Sequence, residues 1–353
     1  MKRVAEILLL TLAIQSVNIA FVTLARAQED PTLDATRHRF PDVGAGFRAI
    51  RLGPDGFYYV LAPLASPDSE DLPRRDTPFK RSEASAHSAP LVLVFDAQGR
   101  KLRQIPAQPR PGEIVSPSSM DVDESGRVYI ADQSANTVSV YTAGGTPLAH
   151  VAVPEPTQIV ALPRDQFAVC SASAERLISV YDLHGALVRQ FGEFADLSDD
   201  PELNHRLNAG QLASDKAGNL YFAFRYLPEP TVRKYDPNTG YLLDEMTLTT
   251  LDLQPMAQSA RQEIARLGSR RAVLPHEIIS AMGVDTETQE LWLALGNLLM
   301  RFDNADTNTA TNRIYTTRQD RMVPDFILVE KNNLLLGNDP LGIYEFRRSI
   351  SKK

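Results

Sequence analysis

Short apolar runs separated by polar turns recur along most of the chain. Six segments share the pattern of an apolar strand, an acidic or polar turn and a second apolar strand. The segments begin at Phe47, Ser118, Thr157, Gly210, Ser280 and Asp325. Their turns, at Gly53, Asp123, Leu162, Asp215, Asp285 and Glu330, lie 70, 39, 53, 70 and 45 residues apart. The two long intervals each contain an insertion, so the underlying period is about 40–45 residues, as in propeller blades.

Each unit continues into a third apolar strand and a fourth, more polar one. The third strand ends in a hairpin signature, as in "VFDAQG", "VYTAGG" and "VYDLHG". A single four-stranded meander cannot bury both of its faces, but meanders packed radially against each other can. The pattern therefore predicts an all-β fold, a six-bladed β-propeller of four-stranded antiparallel blades.

The last unit lacks a fourth strand, because the sequence stops at Lys353 soon after its third strand. The segment Thr36–Val43, "TRHRFPDV", precedes the first unit and belongs to no blade of its own. We expect this segment to pair as the outer strand of the last blade. Such pairing would close the ring and remove an open sheet edge.

The second unit carries a family resemblance. "MDVDESGRVYIADQSANTVSVYTAGG", from Met120, resembles an NHL repeat, and "SDKAGNLYFAF", from Ser214, is similar to a lesser degree. The resemblance implies the NHL or TolB-like class of six-bladed propellers. That class includes ligand binders, scaffolds, lyases and lactonase-like hydrolases, so it implies no single function.

The first residues have the sequence pattern of a targeting segment. Met1–Arg3 is basic, residues 7–25 are mostly apolar, and Ala25–Ala27 has the small-x-small form of a cleavage site. We predict a signal peptide over 1–27 and a periplasmic or secreted protein without a stable membrane span after cleavage. An uncleaved anchor is the alternative, because the apolar run is long enough to span a bilayer. Beyond it we expect a flexible segment (28–35), one propeller domain (36–348) and a short tail (349–353).

Composition narrows the function classes. The 353 residues are 43% hydrophobic and 23% charged, with a formal net charge of -7, and no basic stripe is visible. We therefore expect no nucleic-acid partner. The single cysteine, Cys170, excludes an intrachain disulfide and a cysteine metal cluster. Its apolar context, "QFAVCSAS", predicts a buried structural thiol.

Two insertions fall on one face of the predicted propeller. In a meander, the start of strand one, the loop between strands two and three and the end of strand four share one face. Residues 66–90 lie between strands two and three of the first blade, and residues 249–275 join the fourth blade to the fifth. The centre of the second insertion, "QPMAQSARQEIARLGSRR", predicts a helix. The insertions form either a rim over the tunnel mouth or surface decoration, since long loops cost little.

Polar residues open the first strands and are expected to ring the tunnel mouth, together with a nearby histidine. The candidates are Arg48, Ser118, Thr157, Gln158, Gln211, His276, Ser280 and Asp325. With Arg48 as a fixed cation, this set would suit a small polar or anionic ligand. Alternatively, the polar groups hold ordered water. The sequence has no HExxH, GxSxG or phosphate-loop motif, and we predict no catalytic residue.

The sequence supplies only some of the residues that the metal-dependent activities of the NHL or TolB-like class require. A lactonase-like site needs several oxygen ligands for a metal on the propeller axis. Asp325 is one candidate ligand, but the sequence shows no second carboxylate at an equivalent axial position. An amidating-lyase-like site needs several axial histidines and an arginine, which Arg48 and His276 do not supply. The acidic turn Asp121–Gly126 leaves calcium possible, although its recurrence favours a hairpin. We therefore predict no cofactor. The favoured function is a binding module for a protein partner or a small polar ligand, with a metal-dependent hydrolase or lyase as the alternative.

Overall fold

The structure is a computed structural model that describes residues 32–43, 46–63, 90–110, 112–267, 274–296, 298–302, 313–317 and 322–348. The predicted signal peptide over 1–27, residues 66–89 of the first insertion and the tail over 349–353 lie outside the described residues.

The described residues form strands for most of their length. The strands are β1 (Thr32–Leu33), β2 (Ala35–Arg39), β3 (Ala49–Leu52), β4 (Tyr58–Pro63), β5 (Pro90–Phe95), β6 (Lys101–Ile105), β7 (Pro117–Val122), β8 (Val128–Asp132), β9 (Thr137–Tyr141), β10 (Pro147–Ala152), β11 (Pro156–Leu162), β12 (Gln166–Ser171), β13 (Ile178–Asp182), β14 (Leu187–Phe191), β15 (Gly210–Ser214), β16 (Leu220–Phe224), β17 (Thr231–Tyr235), β18 (Leu242–Thr247), β19 (Ala281–Val284), β20 (Leu291–Leu295), β21 (Leu298–Phe302), β22 (Arg313–Thr317), β23 (Phe326–Val329), β24 (Asn333–Asn338) and β25 (Gly342–Arg347). Two α-helices, α1 (Pro201–Leu207) and α2 (Gln254–Leu267), and a 3₁₀ turn, Leu251–Leu253, are also present. Neither helix is long and apolar enough to cross a membrane, and no other helix in the described part is.

The strands assemble into six antiparallel meanders, as predicted. Blades one to five consist of β3–β6, β7–β10, β11–β14, β15–β18 and β19–β22, and blade six combines β23–β25 with β2. The first strands of successive blades contact one another around a closed ring, which includes contact between β23 and β3. The protein is therefore a six-bladed β-propeller.

The hydrophobic pattern within a blade follows from this packing. Second strands such as β8, β16 and β20 are buried at every position, because both of their faces press against neighbouring blades. Tyr221 and Trp292, at equivalent positions of β16 and β20, are fully buried, as expected for blade core. Fourth strands mix exposed and buried positions, because only one end of each is covered.

The hairpin between the third and fourth strands of a blade packs against the preceding blade. In blade two, Gly145 has a φ of +83°, and a Cβ there would lie 2.7 Å from the backbone nitrogen of Ala107 in blade one. In blade four, a Cβ on Gly240 would lie 3.0 Å from Phe191 of blade three. Both positions therefore require glycine for two reasons, the left-handed backbone conformation and the close contact with the preceding blade.

The ring closes as the sequence predicts. β2 pairs antiparallel with β25, from Ala35 opposite Phe346 to Arg39 opposite Ile343, and supplies the outer strand of blade six. The strand is shorter than the predicted Thr36–Val43. Phe40 has a φ of 50° and turns the chain so that its ring packs in the core between blades six and one.

Of the segment 28–35, which the sequence predicts to be flexible, the structure describes residues 32–35, and the first two of these also pair. Thr32 and Leu33 of β1 lie parallel to Thr316 and Thr317 of β22, which makes blade five a five-stranded sheet. Leu33 is 6% exposed, in a cluster with Trp292 and Phe346. Burial of this leucine offsets the entropy lost when the segment becomes ordered.

A buried arginine fastens the closing strand to blade one. The Arg39 guanidinium donates to Glu345 Oε2 at 2.8 Å and to the carbonyl oxygen of Ala97 at 3.3 Å. It also lies over the rings of Phe40 and Tyr58, with centroid distances of 4.9 and 4.8 Å. One side chain therefore links the outer strand of blade six to the core and the outer hairpin of blade one.

We expect Arg39→Ala to lower the free energy of unfolding by about 3–5 kcal/mol, because it removes one partner of a buried, hydrogen-bonded charge pair. Arg37 is the matched control. It bonds the same Glu345 oxygen at 3.0 Å, but its side chain is 51% exposed. Arg37→Ala should cost about 0–1 kcal/mol. Urea denaturation followed by tryptophan fluorescence measures both, and equal losses would contradict this account of ring closure.

Candidate functional site

Both helices lie on the face where the first strands begin. α1 follows the fourth strand of blade three, and α2 follows the fourth strand of blade four. The second helix confirms the prediction from the second insertion. The first was missed, although its N-cap signal is present: Asp200 accepts from the N–H groups of Glu202 and Leu203, and Pro201 opens the first turn.

The helices rest on a small apolar core of their own. Leu203, Leu207 and Tyr226 are buried in it, and Ile264 and Leu267 of α2 pack against them. We call α1, α2 and this cluster the helical platform. A segment with its own packed core has a fixed position, so the second insertion is a packed element rather than a loose loop. Whether the two insertions together form a rim stays a prediction, because residues 66–89 lie outside the described residues.

His276 fixes α2 to the chain that enters blade five. Its Nδ1 lies 3.0 Å from Glu263 Oε2, and its backbone N–H donates to the same oxygen at 3.0 Å. These bonds, the backbone one foremost, lower the pKa of Glu263. The His276 side chain is 94% exposed, so this residue lies at the surface beside α2.

The uncharged side chains of four predicted mouth residues form hydrogen bonds with backbone groups of the protein. Ser118 Oγ donates to the Pro156 carbonyl at 2.7 Å, and Thr157 Oγ1 donates to the Cys170 carbonyl at 3.1 Å. Gln211 Nε2 donates to the Ser280 carbonyl at 2.5 Å while its Oε1 accepts from the Met282 N–H at 2.7 Å. Ser280 Oγ lies 3.4 Å from the carbonyl oxygen of Ala294.

These bonds have a structural cause. The first strand of each blade exposes one edge to the tunnel, where its backbone groups find no strand partner. Gln211 and Ser118 satisfy such groups on the next blade. Gln158 is half-buried and has no such bond among the described residues. Ser118 and Gln211 therefore join neighbouring blades, whereas Thr157 and Ser280 bond within their own blades.

Five charged residues lie near one another on the face where the first strands begin. Arg48 has a 56% exposed side chain, and its closest ion-pair contact is to Asp339 Oδ2 at 3.9 Å. Asp325 is also exposed, and its Oδ2 accepts the Asp339 N–H at 2.8 Å. Nearby, Arg225 Nη1 bonds Glu277 Oε1 at 2.6 Å. We call these five residues the mouth cluster.

The protein makes ionisation of Asp325 less favourable than in an unfolded chain, although the residue as a whole is exposed. Loss of solvent around the carboxyl group raises its pKa, and the carboxylates of Asp339 and Glu277 raise it further. The Asp339 N–H and Arg225 act in the opposite direction but are outweighed. A carboxylate with a raised pKa beside other carboxylates is a feature that functional sites share.

The platform and the mouth cluster are connected. The Tyr226 hydroxyl lies 3.5 Å from Glu277 Oε1, while the ring of Tyr226 belongs to the platform core. Burial, followed by the charge of Glu277, raises the pKa of Tyr226 to about 12, so it remains a neutral donor. Tyr226 therefore reaches from the platform core to the mouth cluster.

The charges of the mouth cluster differ from the prediction that Arg48 would bind a small polar or anionic ligand. Three carboxylates and two guanidiniums make up the mouth cluster, and Arg48 already faces Asp339. Sequence reasoning missed Asp339. Asp339 follows the second strand of blade six, and in a meander the loop between strands two and three lies on the same face as the start of strand one. The order of strands in the sequence could therefore have indicated its position.

The carboxylates of the acidic turn Asp121–Gly126 form hydrogen bonds and ion pairs within the protein. Asp123 Oδ1 accepts the N–H groups of Ser125 and Arg127 at 2.9 Å, and its Oδ2 accepts from Arg127 Nε at 2.6 Å. Asp121 bonds Arg51 and the Ala161 N–H, and burial raises its pKa. Across the described part of the chain, no three histidine, cysteine, aspartate or glutamate side chains come close enough to hold a metal ion.

We expect Asp325→Asn to raise the free energy of unfolding at pH 7. A pKa raised by the fold means that ionisation weakens the folded state, so the wild-type penalty appears as the pH rises above the ordinary aspartate range. The advantage of the variant should shrink as the pH falls from about 7 to about 4. Urea denaturation at several pH values measures it.

Asp285, on the opposite face, is the control with the opposite sign. Burial acts to raise its pKa, but hydrogen bonds from Thr288, the Glu287 N–H and Arg348 outweigh burial and lower it. Asp285→Asn should lose stability at pH 7, and the loss should diminish as the pH falls. The same sign for both variants would contradict the assigned environments.

Comparison with known proteins gives the fold. No protein-family profile matches the chain. A search of curated proteins finds no match. A solved streptogramin B lyase superposes with a TM-score of 0.52 at 13% identity, covering 93% of this chain and 90% of that one. A catalytically inactive virginiamycin B lyase from Staphylococcus aureus, solved with quinupristin, gives 0.51 at 12% identity, covering 88% and 98%. At such identities the likeness establishes a six-bladed β-propeller and nothing finer.

Proposed function

We propose that this propeller is a binding module that receives its ligand at the tunnel mouth, on the face that carries the insertions. The observation that carries the proposal is the mouth cluster, an accessible group of opposed charges framed by a packed helical platform. Asp325 is kept in an environment that disfavours its charge. Such a cost to stability is typical of residues retained for function.

The balance of charges indicates the ligand's chemistry. Asp325 and Asp339 present carboxylate oxygens, and Glu277 adds a third carboxylate that Arg225 partly neutralises. A cationic or hydrogen-bond-donating group would complement them, while Arg48 would receive an acceptor on the same ligand. A small polar molecule with an amino group, or a basic side chain of a protein partner, meets both demands.

The class of propeller is part of the proposal. In three blades, a tyrosine hydroxyl of the second strand donates to an aspartate in the preceding turn. The pairs are Tyr59–Asp55, Tyr129–Asp123 and Tyr221–Asp215. This recurring bond supports membership of the NHL-like group, because the motif from Met120 supplies one of the three pairs.

A metal-dependent hydrolase or lyase is the second candidate, and one observation favours it. The sequence offers Asp325 without a second axial carboxylate, whereas the fold places Asp339 next to it, with the Asp339 backbone N–H 2.8 Å from Asp325 Oδ2. Two carboxylates are too few to hold the ion by themselves, so backbone carbonyl groups or water would have to complete the site. Calcium is the ion that such oxygen ligands suit, and it would polarise a carbonyl group of a substrate.

We expect small amines and basic dipeptides to raise the melting temperature of the wild-type protein more than dicarboxylates of similar size. The shift should be lost in Asp325→Asn and in Asp339→Asn, because each removes a charge that the cation needs. Differential scanning fluorimetry against a matched panel measures it. Calcium, followed by a chelator, belongs in the panel, and a shift that depends on calcium and on Asp325 would favour the second candidate.

The opposite face provides a matched control. Lys216 and Glu287 lie 3.9 Å apart in exposed turns, the same separation as Arg48 and Asp339. Lys216→Ala and Glu287→Gln should leave the ligand-induced shifts unchanged. Shifts produced by anions alone, or shifts abolished by the control variants, would contradict binding of a cationic group at the mouth.

We further propose that the protein acts outside the cytoplasm, in the periplasm or as a secreted protein. The basic, apolar and small-x-small sequence of residues 1–27 supports this. N-terminal sequencing of the protein recovered from the bacterial periplasm or medium should begin at Gln28. A protein that stays in the membrane fraction with residues 1–27 intact would instead support the anchor.

A further inference from the structure

One carboxyl group joins the first strands of blades one, two and three at the tunnel. Asp121 of β7 accepts from Arg51 Nε of β3 at 2.9 Å through Oδ1, and from the Ala161 N–H of β11 at 2.8 Å through Oδ2. The Ala161 N–H lies on the inner edge of β11, so the carboxylate takes the place of a strand partner. Asp121 therefore bonds the blades on both of its sides.

Gln211 forms a comparable bridge in the other half of the ring. Its Nε2 donates to the Ser280 carbonyl at 2.5 Å, and its Oε1 accepts the Met282 N–H at 2.7 Å. Nε2 also lies 3.5 Å from the carbonyl oxygen of Asp325 in blade six. A side-chain amide does not titrate, so these bonds keep their strength as the pH changes. The two bridges therefore differ in charge, and the one at Asp121 can respond to protons.

The surroundings of Asp121 oppose its charge. Its side chain is 15% exposed, and that of Arg51 is 26% exposed. Burial is the largest influence and raises the pKa of Asp121. Arg51 and the N–H groups of Ala161 and Val122 lower this pKa but do not offset burial. The carboxyl group therefore takes up a proton at a higher pH than an aspartate in water does.

Arg51 is the charged group that the strands around β7 present to Asp121. β11 carries no titratable side chain. Tyr59 of β4 and Tyr129 of β8 donate to aspartates in the turns of their own blades, and burial raises the pKa of both, so they stay protonated near neutral pH. Asp132 of β8 accepts backbone N–H groups at the other end of its strand. A change from neutral to mildly acidic pH thus acts on this bridge through Asp121 itself.

We propose that Asp121 is a charge-dependent clasp that joins blades one, two and three at the tunnel and opens under mildly acidic conditions. The carboxylate holds Arg51 and the Ala161 N–H by charge-assisted hydrogen bonds, which are about twice as strong as neutral ones. Protonation removes that assistance, so the three inner strands separate more readily. The bonds of Gln211 and the pairing of β2 with β25 do not depend on this charge and keep the ring closed. Asp121 lies towards the end of β7 away from the mouth cluster, so the proposal does not rest on the ligand proposed there.

The opening that we expect is local. Because the fold raises the pKa of Asp121, its protonation relieves the cost of burying a charge. The free energy of unfolding therefore gains from this group as the pH falls through the folded pKa towards the ordinary aspartate range. Global denaturation would miss the clasp, whereas hydrogen exchange at single amides reports local opening.

The test measures amide hydrogen exchange by NMR in the purified protein, from about pH 7 to about pH 4.5. Ala161 and Met282 are matched reporters, because each N–H bonds a side chain of another blade and the two acceptors differ in charge. The protection factor of Ala161 should fall about tenfold as the pH drops through the titration of Asp121. That of Met282 should stay constant.

Arg51→Met tests the coupling, because loss of the cation should move the midpoint of the Ala161 transition up by about one to three pH units. Arg100 is the matched control, since its Nε bonds Asp96 at 2.6 Å on the outer hairpin of the same blade and its side chain is 78% exposed. Arg100→Met should leave the midpoint unchanged. If Arg51→Met does not fold, Asp121→Asn replaces it and should make the protection of Ala161 independent of pH.

A protection factor of Ala161 that stays constant over this pH range would overturn the proposal. An equal loss of protection at Ala161 and Met282 would also overturn it, since that pattern indicates opening of the whole ring. A midpoint that Arg51→Met and Arg100→Met shift equally would separate the transition from the ion pair, with the same consequence.

Discussion

Closure of the ring by β2 is the constraint on which the rest of this structure depends. A propeller blade buries its faces only between two neighbours, so a ring that fails to close exposes one face of blade one and one face of blade six. The pairing of β2 with β25 joins the N-terminal residues to the last strands of the chain. Arg39 then ties that pairing to blade one through Glu345, Ala97 and the rings of Phe40 and Tyr58.

The mouth cluster lies on this same seam. Arg48 begins blade one, whereas Asp325 and Asp339 belong to blade six, and the Gly46 N–H donates to Asp339 Oδ1 at 2.8 Å. The short connection that follows β2 therefore places both Gly46 and Arg48 beside the carboxylates of the last blade. Any loosening of ring closure would separate the charges that the proposed ligand needs, which links stability at the seam to binding at the mouth.

Two kinds of polar residue meet at the tunnel, and they have different roles. Gln211 and Ser118 satisfy backbone groups that the propeller geometry leaves without strand partners. Asp325 instead retains an exposed carboxylate whose ionisation the protein disfavours. The first role is a consequence of joining blades, and any propeller must solve it in some way. The second has one structural bond, from the Asp339 N–H, which does not offset the cost of ionisation, and the proposed function rests on that cost.

The sequence by itself determined the blade count, the order of strands and the closing strand, because strand periodicity and turn residues such as Asp123 and Gly145 act over a few neighbouring residues. It also placed a helix within residues 249–275. It did not distinguish Gln211 from Asp325, since both are polar residues near the start of a first strand. Their roles depend on groups that are distant in sequence, Ser280 for Gln211 and Asp339 and Glu277 for Asp325. Only the tertiary structure brings those groups together, and burial and the charge of neighbours then decide which side chain joins blades and which carboxylate has a raised pKa.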